Sequence, residues 1–482
     1  MRKPRILYDL SFGLNSTGFS GIPQDTRLLF FGLAQSENLA LTGMIRPNGA
    51  SYFRRGSLDR IDNQSLFLGP FLEGVMDNRS VMERLFSRMH RKLGTAWRVL
   101  LRGTQVDTTL HPTDAALLDM IWRRHFASTL PPGARELMAE LPYAITRLGS
   151  EQVIASTLFP RIPRPRIDTR GFDILFTQDT KPIRVSRGTR LVVRYHDGIP
   201  LTASDTFSSE STTRLHYNAV RAVENEAFFV CNSPSALSDL SRISPRAAAK
   251  ATVIPYFIPR MDRTETTREA LMSIAKGRMA DATKPSDASK SIAKWFGSAG
   301  IPEFVMSLAT VEPRKNYVRL IEAWQLVRLR TGRNIKLLIV GGPGWHDSQI
   351  INTMKPYVQS GDLLHLARLN QTELPYLYSA AKVFAFPSFA EGFGLPPTEA
   401  MQCDCPCVIS HIPAHEYMAG GAALYVDPYD VPGLADALER ATSDEEVRQN
   451  LIAAGRKNVE RFQHDKLIPE WERLFADLSQ AR

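Results

Sequence analysis

Cysteine is scarce, with four residues in a chain of 482. So few thiols in so long a chain exclude a disulfide scaffold and point to a reducing compartment. Long apolar runs are also missing. No stretch of about 18 or more apolar residues occurs, so no membrane-spanning helix is expected. The start, Met1-Arg2-Lys3-Pro4-Arg5, is basic, but the apolar segment behind it, Ile6 to Leu10, is short and contains Asp9. It reads as a first strand and not as a secretory leader. Cys403, Cys405 and Cys407 alternate and would share one face of a strand. A metal cluster would want a fourth ligand and wider spacing, so these three read as small apolar residues entering a buried strand over 407–410.

What is present is a globular composition, 43% apolar and 23% charged. The length exceeds one ordinary domain, and two or three are expected. A net charge of +9 and a pI near 9.4 favour an anionic partner such as nucleotide phosphates, anionic lipid or nucleic acid. The basic residues are dispersed and no nucleic-acid motif accompanies them, so nucleic acid is not an expected partner.

Apolar periodicity organises the chain into alternating strands and helices. Arg5 to Leu10 is a strand, a loop containing Gly18 and Gly21 follows, and a helix runs from about 24 to 34. Strand, glycine loop, helix is the opening unit of a doubly wound sheet. Ser80 to Leu101 reads as an amphipathic helix, with Met82, Leu85, Phe86, Met89, Leu93, Trp97 and Leu100 at helical spacing and arginines between them. Such a basic helix either packs on its own domain or lies on an anionic membrane surface. Further strands are expected near 172–176, 190–195, 227–231 and 252–256, giving a parallel sheet covered on both faces. The segment 259–300 is rich in Ser, Thr, Ala and Lys and reads as a linker with an inserted piece. A second α/β unit fills 301–461, and 462–482 forms a helical tail with Trp471, Leu474 and Phe475 on one stripe.

The most informative stretch runs from Pro387 to Met401 (Pro-Ser-Phe-Ala-Glu-Gly-Phe-Gly-Leu-Pro-Pro-Thr-Glu-Ala-Met). An apolar strand, 382–386, leads into a glycine turn and then a Pro-started helix. That arrangement presents free backbone N–H groups to a phosphate. Glu391 and Glu399 flank the turn, one on it and one inside the helix. They can therefore accept hydrogen bonds from hydroxyls on different parts of one ligand, and a sugar joined through phosphates to a ribose fits. Upstream, Glu312-Pro313-Arg314-Lys315-Asn316 places adjacent cations at a strand end, where they would neutralise a departing diphosphate.

The Glu-x7-Glu pair, the Gly-Phe-Gly-Leu-Pro core and the Pro-Arg-Lys-Asn run resemble the signature of retaining glycosyltransferase family 4, in its bacterial mannosyltransferase-like branch. The resemblance implies a GT-B fold: two Rossmann-like α/β domains facing across a cleft. It would place an acceptor domain at 1–258 with a helical insertion at about 70–165, and a nucleotide-sugar domain at 301–461. A tail at 462–482 would return to the first domain. Arg314 and Lys315 would hold the donor diphosphate together with the turn Gly392, Phe393, Gly394 and Leu395. Glu391 would bind sugar hydroxyls, and Glu399 the ribose. Gly341 and Gly342 either shape the donor pocket or form a plain strand-end turn. Leu364 and His365 sit where the family contacts the nucleobase through backbone groups, while Gly18 and Gly21 match its N-terminal glycine loop loosely. His196 resembles the family histidine facing the reaction centre, and Asp197 would serve the acceptor side.

No Asp-x-Asp pair occurs in the chain. This fits cationic side chains and helix N-termini replacing a metal, so neither metal nor cofactor is expected. One departure is that Asp404 and Cys405 stand where the family has a small residue and Gly. The expected activity is transfer of a hexose, mannose before others, from a nucleotide diphosphate sugar (GDP-mannose first, UDP-sugars second). The acceptor would be a hydroxyl on a glycan or lipid-linked molecule, and the anomeric configuration would be retained. The expected location is the cytoplasm, with contact at the inner face of the plasma membrane. Competing readings are a nucleotide-sugar epimerase or hydrolase of the same fold, and a binding protein without turnover.

Overall fold

A computed structural model describes residues 2–11, 21–45, most of 105–202, 210–280, 285–298, 300–344 and 346–480. The helix expected over 80–101 lies outside these residues, with much of the 70–165 segment and Gly18.

Two sheets dominate. The first contains β1 (Arg5–Asp9), β2 (Ala40–Ile45), β3 (Thr108–His111), β4 (Tyr143–Thr146), β5 (Ile174–Thr177), β6 (Arg190–Tyr195), β7 (Ala227–Cys231) and β8 (Ala251–Val253), in the order β8-β7-β6-β5-β1-β2-β4-β3. All pairings are parallel except β3 with β4. The described part of the expected helical insertion is thus not only helical, because two of its segments extend the sheet edge. Gly43 makes room for this, since a Cβ there would lie 2.7 Å from the Tyr143 ring.

The second sheet contains β9 (Phe304–Leu308), β10 (Lys336–Val340), β11 (Leu363–Leu366), β12 (Val383–Phe386), β13 (Cys407–Ser410) and β14 (Leu424–Val426), in the order β11-β10-β9-β12-β13-β14. Every pairing is parallel. Strands such as Lys-Leu-Leu-Ile-Val and Val-Phe-Ala-Phe are almost continuously apolar because helices cover both faces. Trp324 on a helix over 317–331 packs on one face, and Trp295 and Phe296 on the other.

Trp295 and Phe296 belong to the segment read as a linker. It contains α-helices at Arg268–Arg278 and Pro285–Phe296, whose Leu271, Ala275 and Ile292 join the same core. Ser273, Lys276, Ser289, Lys290 and Lys294 occupy the outer faces of these helices, and this is why the composition resembles a linker. Of the three alternating cysteines, only Cys407 lies in a strand. All three are buried thiols, and Cys403 ends the preceding helix.

The chain returns from the second sheet to the first through α-helix His464–Gln480. Leu467, Trp471, Phe475 and Leu478 pack in the N-terminal core. Trp471 and Phe475 meet Phe176 of β5 edge-on at 5.4 and 5.9 Å, and the Arg194 guanidinium lies 5.2 Å from the Trp471 ring. Among the described residues no helix is long and apolar enough to cross a membrane.

Two histidines are built into this packing as neutral rings. Burial lowers His196 to about 3, with the Arg194 charge acting in the same direction. It lowers His415, which is fully buried, to about 4.

Trp471→Ala should destabilise the protein by about 3–5 kcal/mol, read by denaturant unfolding, and the N-terminal domain should melt first. The histidines make a second prediction. An unfolded histidine takes up its proton near pH 6.5, whereas these two resist it until about 3 and 4. The unfolded chain therefore binds more protons throughout that interval, and stability falls with falling pH. The steepest slope is about 1.4 kcal/mol per pH unit for each ring. Because buried carboxyls such as Glu399 act in the opposite sense, the check is the difference in unfolding free energy between wild type and His415→Gln, and a difference that stays constant between pH 7 and pH 5 would contradict this.

Candidate functional site

In a doubly wound sheet, ligands collect where the strand order reverses, at the carboxyl ends of the strands. In the second sheet that point lies between β9 and β12. Arg314 and Lys315 follow β9, and Glu391 follows β12. The Glu391 carboxylate takes one Arg314 nitrogen at 2.8 Å and Lys315 Nζ at 2.6 Å. Burial alone would raise its pKa, but the two cations reverse that and hold it well below the usual carboxylate range. Arg314 also donates to the Ala390 carbonyl at 2.7 Å and to Glu312 at 2.7 Å. Lys315 Nζ lies 5.1 Å from the Phe386 ring.

Local backbone sets this up. Asn316 adopts a left-handed conformation (φ 61°) and its amide donates to the carbonyls of Pro387 and Pro428 at 2.9 and 2.7 Å. That ties the two strand-end loops together. Beside them, Gly394 at φ +97° turns the chain sharply into α-helix Leu395–Gln402, whose second residue is Pro396. Gly394 admits this turn without Cβ strain. Pro396 and Pro397 carry no N–H, so in the first turn of the helix Leu395 and Thr398 supply the backbone donors that have no intrahelical acceptor. Phe393 and Leu395 point their side chains into the core. Only their backbone groups are left for a ligand.

The opposite wall comes from the first domain. A Cβ on Gly392 would lie 2.7 Å from the His196 carbonyl oxygen and 3.0 Å from Asp197 Cβ, so the absence of a side chain lets the walls meet. Ser233 donates its hydroxyl to the Gly392 carbonyl at 2.8 Å. Asp197 sits half-buried on this wall and accepts from the Ile199 N–H at 3.1 Å. Burial raises its carboxyl above the ordinary value, against the pull of Arg314. Gly21 opens the helix that bears Gln24, and nothing crowds it.

His196 borders the same wall, but both its ring nitrogens are engaged. Nε2–H donates to the Gln178 carbonyl at 2.7 Å, and Nδ1 accepts from the Tyr256 hydroxyl at 2.5 Å. In this state it shapes the wall, because no ring nitrogen is left for a sugar.

Glu399 is buried in its helix without a cation partner. It accepts from Gln24 of the first domain at 3.2 Å and from the Tyr378 hydroxyl at 3.0 Å. Burial raises its pKa, and the two hydrogen bonds only partly offset this.

Other expectations are corrected. Leu364 and His365 lie inside β11, their backbone engaged in the ladder to β10. The His365 carbonyl also accepts from the Ala280 N–H at 3.2 Å, and its ring donates to the Gly341 carbonyl at 2.9 Å. The connection after helix 268–278 thus meets that strand edge at the His365 carbonyl. Gly341 works by close approach, since a Cβ there would lie 1.9 Å from the Ala309 carbonyl oxygen. Gly342 accepts from the Val311 N–H at 2.9 Å. Together they seat the loop that carries Arg314.

Sequence reasoning missed three participants. Glu312 stood inside the motif, two residues before Arg314. Gln24 gave no signal, being one polar residue on a helix remote in sequence. His415 gave none either. Its Nδ1–H donates to the Ser410 carbonyl at 3.0 Å, and its buried Nε2 lies beneath the Gly394 turn without a partner. Among the described residues no group of three or more His, Cys, Asp or Glu side chains is placed to hold a metal ion.

Residues 290–458 match the model of the family described as glycosyl transferases group 1. The chain is 34% identical over 159 residues to O-antigen chain mannosyltransferase B of Escherichia coli, spanning 33% of this chain and 42% of that protein. It is 37% identical over 105 residues to O-antigen chain mannosyltransferase RfbU of Salmonella typhimurium, spanning 22% and 28%. The match thus covers less than half the length of these relatives. Among solved structures, sucrose-phosphate synthase from Thermosynechococcus elongatus aligns over 100% of both chains with a TM-score of 0.58 at 15% identity. Anabaena HepE in complex with UDP and glucose aligns over 98% of this chain and 100% of its own, with a TM-score of 0.55 at 14% identity. At such identities the likeness is one of fold. Residues 290–458 are thus similar to glycosyl transferases group 1, within a chain that has a GT-B fold and resembles bacterial O-antigen mannosyltransferases in part of its sequence.

Proposed function

We propose that this protein transfers a hexose, mannose before others, from a nucleotide diphosphate sugar to a hydroxyl of a glycan or lipid-linked acceptor, with retention and without a metal. The observation that carries the reading is the convergence of Arg314 and Lys315 on Glu391 at 2.8 and 2.6 Å, beside the free N-terminus of helix 395–402. Cations and oriented N–H groups at one point suit a diphosphate whose charge grows as it departs. The names of the sequence relatives favour mannose, and GDP-mannose is the first donor to try.

In this reading the two cations and the amides of Phe393, Gly394 and Leu395 hold the diphosphate. Glu391, already ionised, turns to the hydroxyls of the transferred sugar, while Glu399 exchanges Gln24 for the ribose. The bond from the anomeric carbon to the phosphate oxygen breaks, and a bond to the acceptor oxygen forms on the same face. The acceptor proton passes to the departing phosphate, so no protein nucleophile is assigned. Asp197 and the His196 wall face the acceptor. The place of work is the cytoplasm, at the inner face of the membrane where lipid-linked acceptors lie.

Purified protein with a chelator present should release nucleotide from GDP-mannose faster than from UDP-glucose or UDP-N-acetylglucosamine, and Glu391→Ala should abolish the release. Release from none of these donors would sink the reading, and release that needs added metal would remove its metal-free part. Release that never depends on an acceptor would indicate a hydrolase or epimerase instead. Arg314→Gln should lower kcat by about 10²–10³-fold, with folding followed by circular dichroism. A loss under about threefold in a folded variant would remove Arg314 from the leaving-group role.

A further inference from the structure

The end of the N-terminal sheet remote from the cleft carries a second concentration of positive charge. An open cavity of about 1130 Å³ lies there, lined by Arg166, Arg184, Arg187 and Arg190, with the buried Ile183 and Leu478 beneath it. Arg190 is the first residue of β6, whose far end leads to His196. Six residues at about 3.3 Å each separate the two sites by about 20 Å.

The backbone forces these arginines together. Arg166 and Arg184 are partners in a parallel bridge. The Ile167 N–H donates to the Arg184 carbonyl, and the Arg184 N–H to the Pro165 carbonyl, each at 2.8 Å. Like charges set opposite one another in this way repel. Arg187 follows on a turn closed by Gly188 at φ +92°. The nearby acids are engaged elsewhere. Asp173, which also lines the cavity, pairs with Arg2 and Arg5. Glu226, likewise on the wall, pairs with Arg164, and Asp168 pairs with Arg170. Among the described residues no ion pair engages Arg166, Arg184, Arg187 or Arg190. The two carboxylates on the wall, Asp173 and Glu226, are paired with other arginines, so these four guanidinium forks can match the oxygens of a phosphate, and an anion there would relieve their mutual repulsion.

We propose that this cavity is a binding site for a phosphate-bearing ligand, separate from the donor cleft. The phosphate sits among the four arginines. Lipid headgroups and soluble phosphates share this chemistry, and the test separates them.

Two probes are used on the full chain. Inorganic pyrophosphate is titrated by calorimetry into protein carrying Arg314→Gln and Lys315→Gln, so that the cleft no longer competes. Flotation is measured on vesicles of equal parts phosphatidylglycerol and phosphatidylcholine. Arg184→Glu with Arg187→Glu is expected to weaken at least one of these about tenfold or more. Nucleotide release by the otherwise wild-type chain should stay unchanged. Lys276→Glu with Lys355→Glu, on the other domain, controls for net charge and should have little effect. Loss of vesicle binding alone assigns a lipid headgroup, and loss of pyrophosphate binding alone assigns a soluble phosphate. Binding of neither probe, binding that survives the reversal, or equal weakening by the control pair overturns the proposal. If the reversal unfolds the chain, Arg184→Gln with Arg187→Gln replaces it under the same reading.

Discussion

The Glu391 carboxylate clasped between Arg314 and Lys315 is the interaction on which the C-terminal site depends. A buried carboxylate without partners would protonate, and two buried cations without a carboxylate would repel. Held together, the three keep their charges in a nearly dry setting. They sit where the order of the second sheet reverses, so the polarity of two parallel strands aims both loops at one point. The left-handed Asn316, the close-packed Gly341 and the turn at Gly394 all serve to hold those loops in register. An incoming diphosphate would meet cations already positioned, with only their carboxylate partner to exchange.

The first domain completes the site from across the cleft, by thin contacts. Gly392 against the His196 carbonyl, Ser233 on the Gly392 carbonyl and Gln24 on Glu399 are each single interactions. Behind them the wall is stiff. Arg194 donates to the carbonyls of Ile254 and Pro255 at 2.6 and 3.0 Å and meets Asp25 at 3.3 Å, all buried. These polar contacts are not alone at the seam, because the Tyr256 ring meets the Phe393 ring at 5.1 Å and helix 234–243 packs on helix 413–419. The aromatic packing of the returning C-terminal helix adds a further tie between the domains.

Much of the second domain was legible because its signals are local. Apolar runs bounded by Gly and Pro mark fully buried parallel strands, and the glycine turn before a Pro-bearing helix marks an anion site within a few residues. The Arg-Lys pair and both glutamates were readable from such segments. The segment read as a linker with an inserted piece holds two helices that composition did not show, because amphipathic helices lying on an existing core need few apolar residues, and Leu271, Ala275, Ile292, Trp295 and Phe296 suffice. That the 278–280 connection bonds the strand edge at His365 was not legible, because it is a long-range fact.

The sequence by itself determined the alternation of strands and helices, the absence of a spanning helix among the readable segments, and the residue types at each strand end. Period, turn chemistry and charge are properties of neighbours along a chain. Only the tertiary structure decided who meets whom. It joined Gln24 to Glu399 across 375 positions, locked both nitrogens of His196, set His415 beneath the Gly394 turn, and gathered four arginines at the back of the first sheet. Those meetings follow from strand order and domain closure, which depend on the free energy of the whole packed chain and on no single segment.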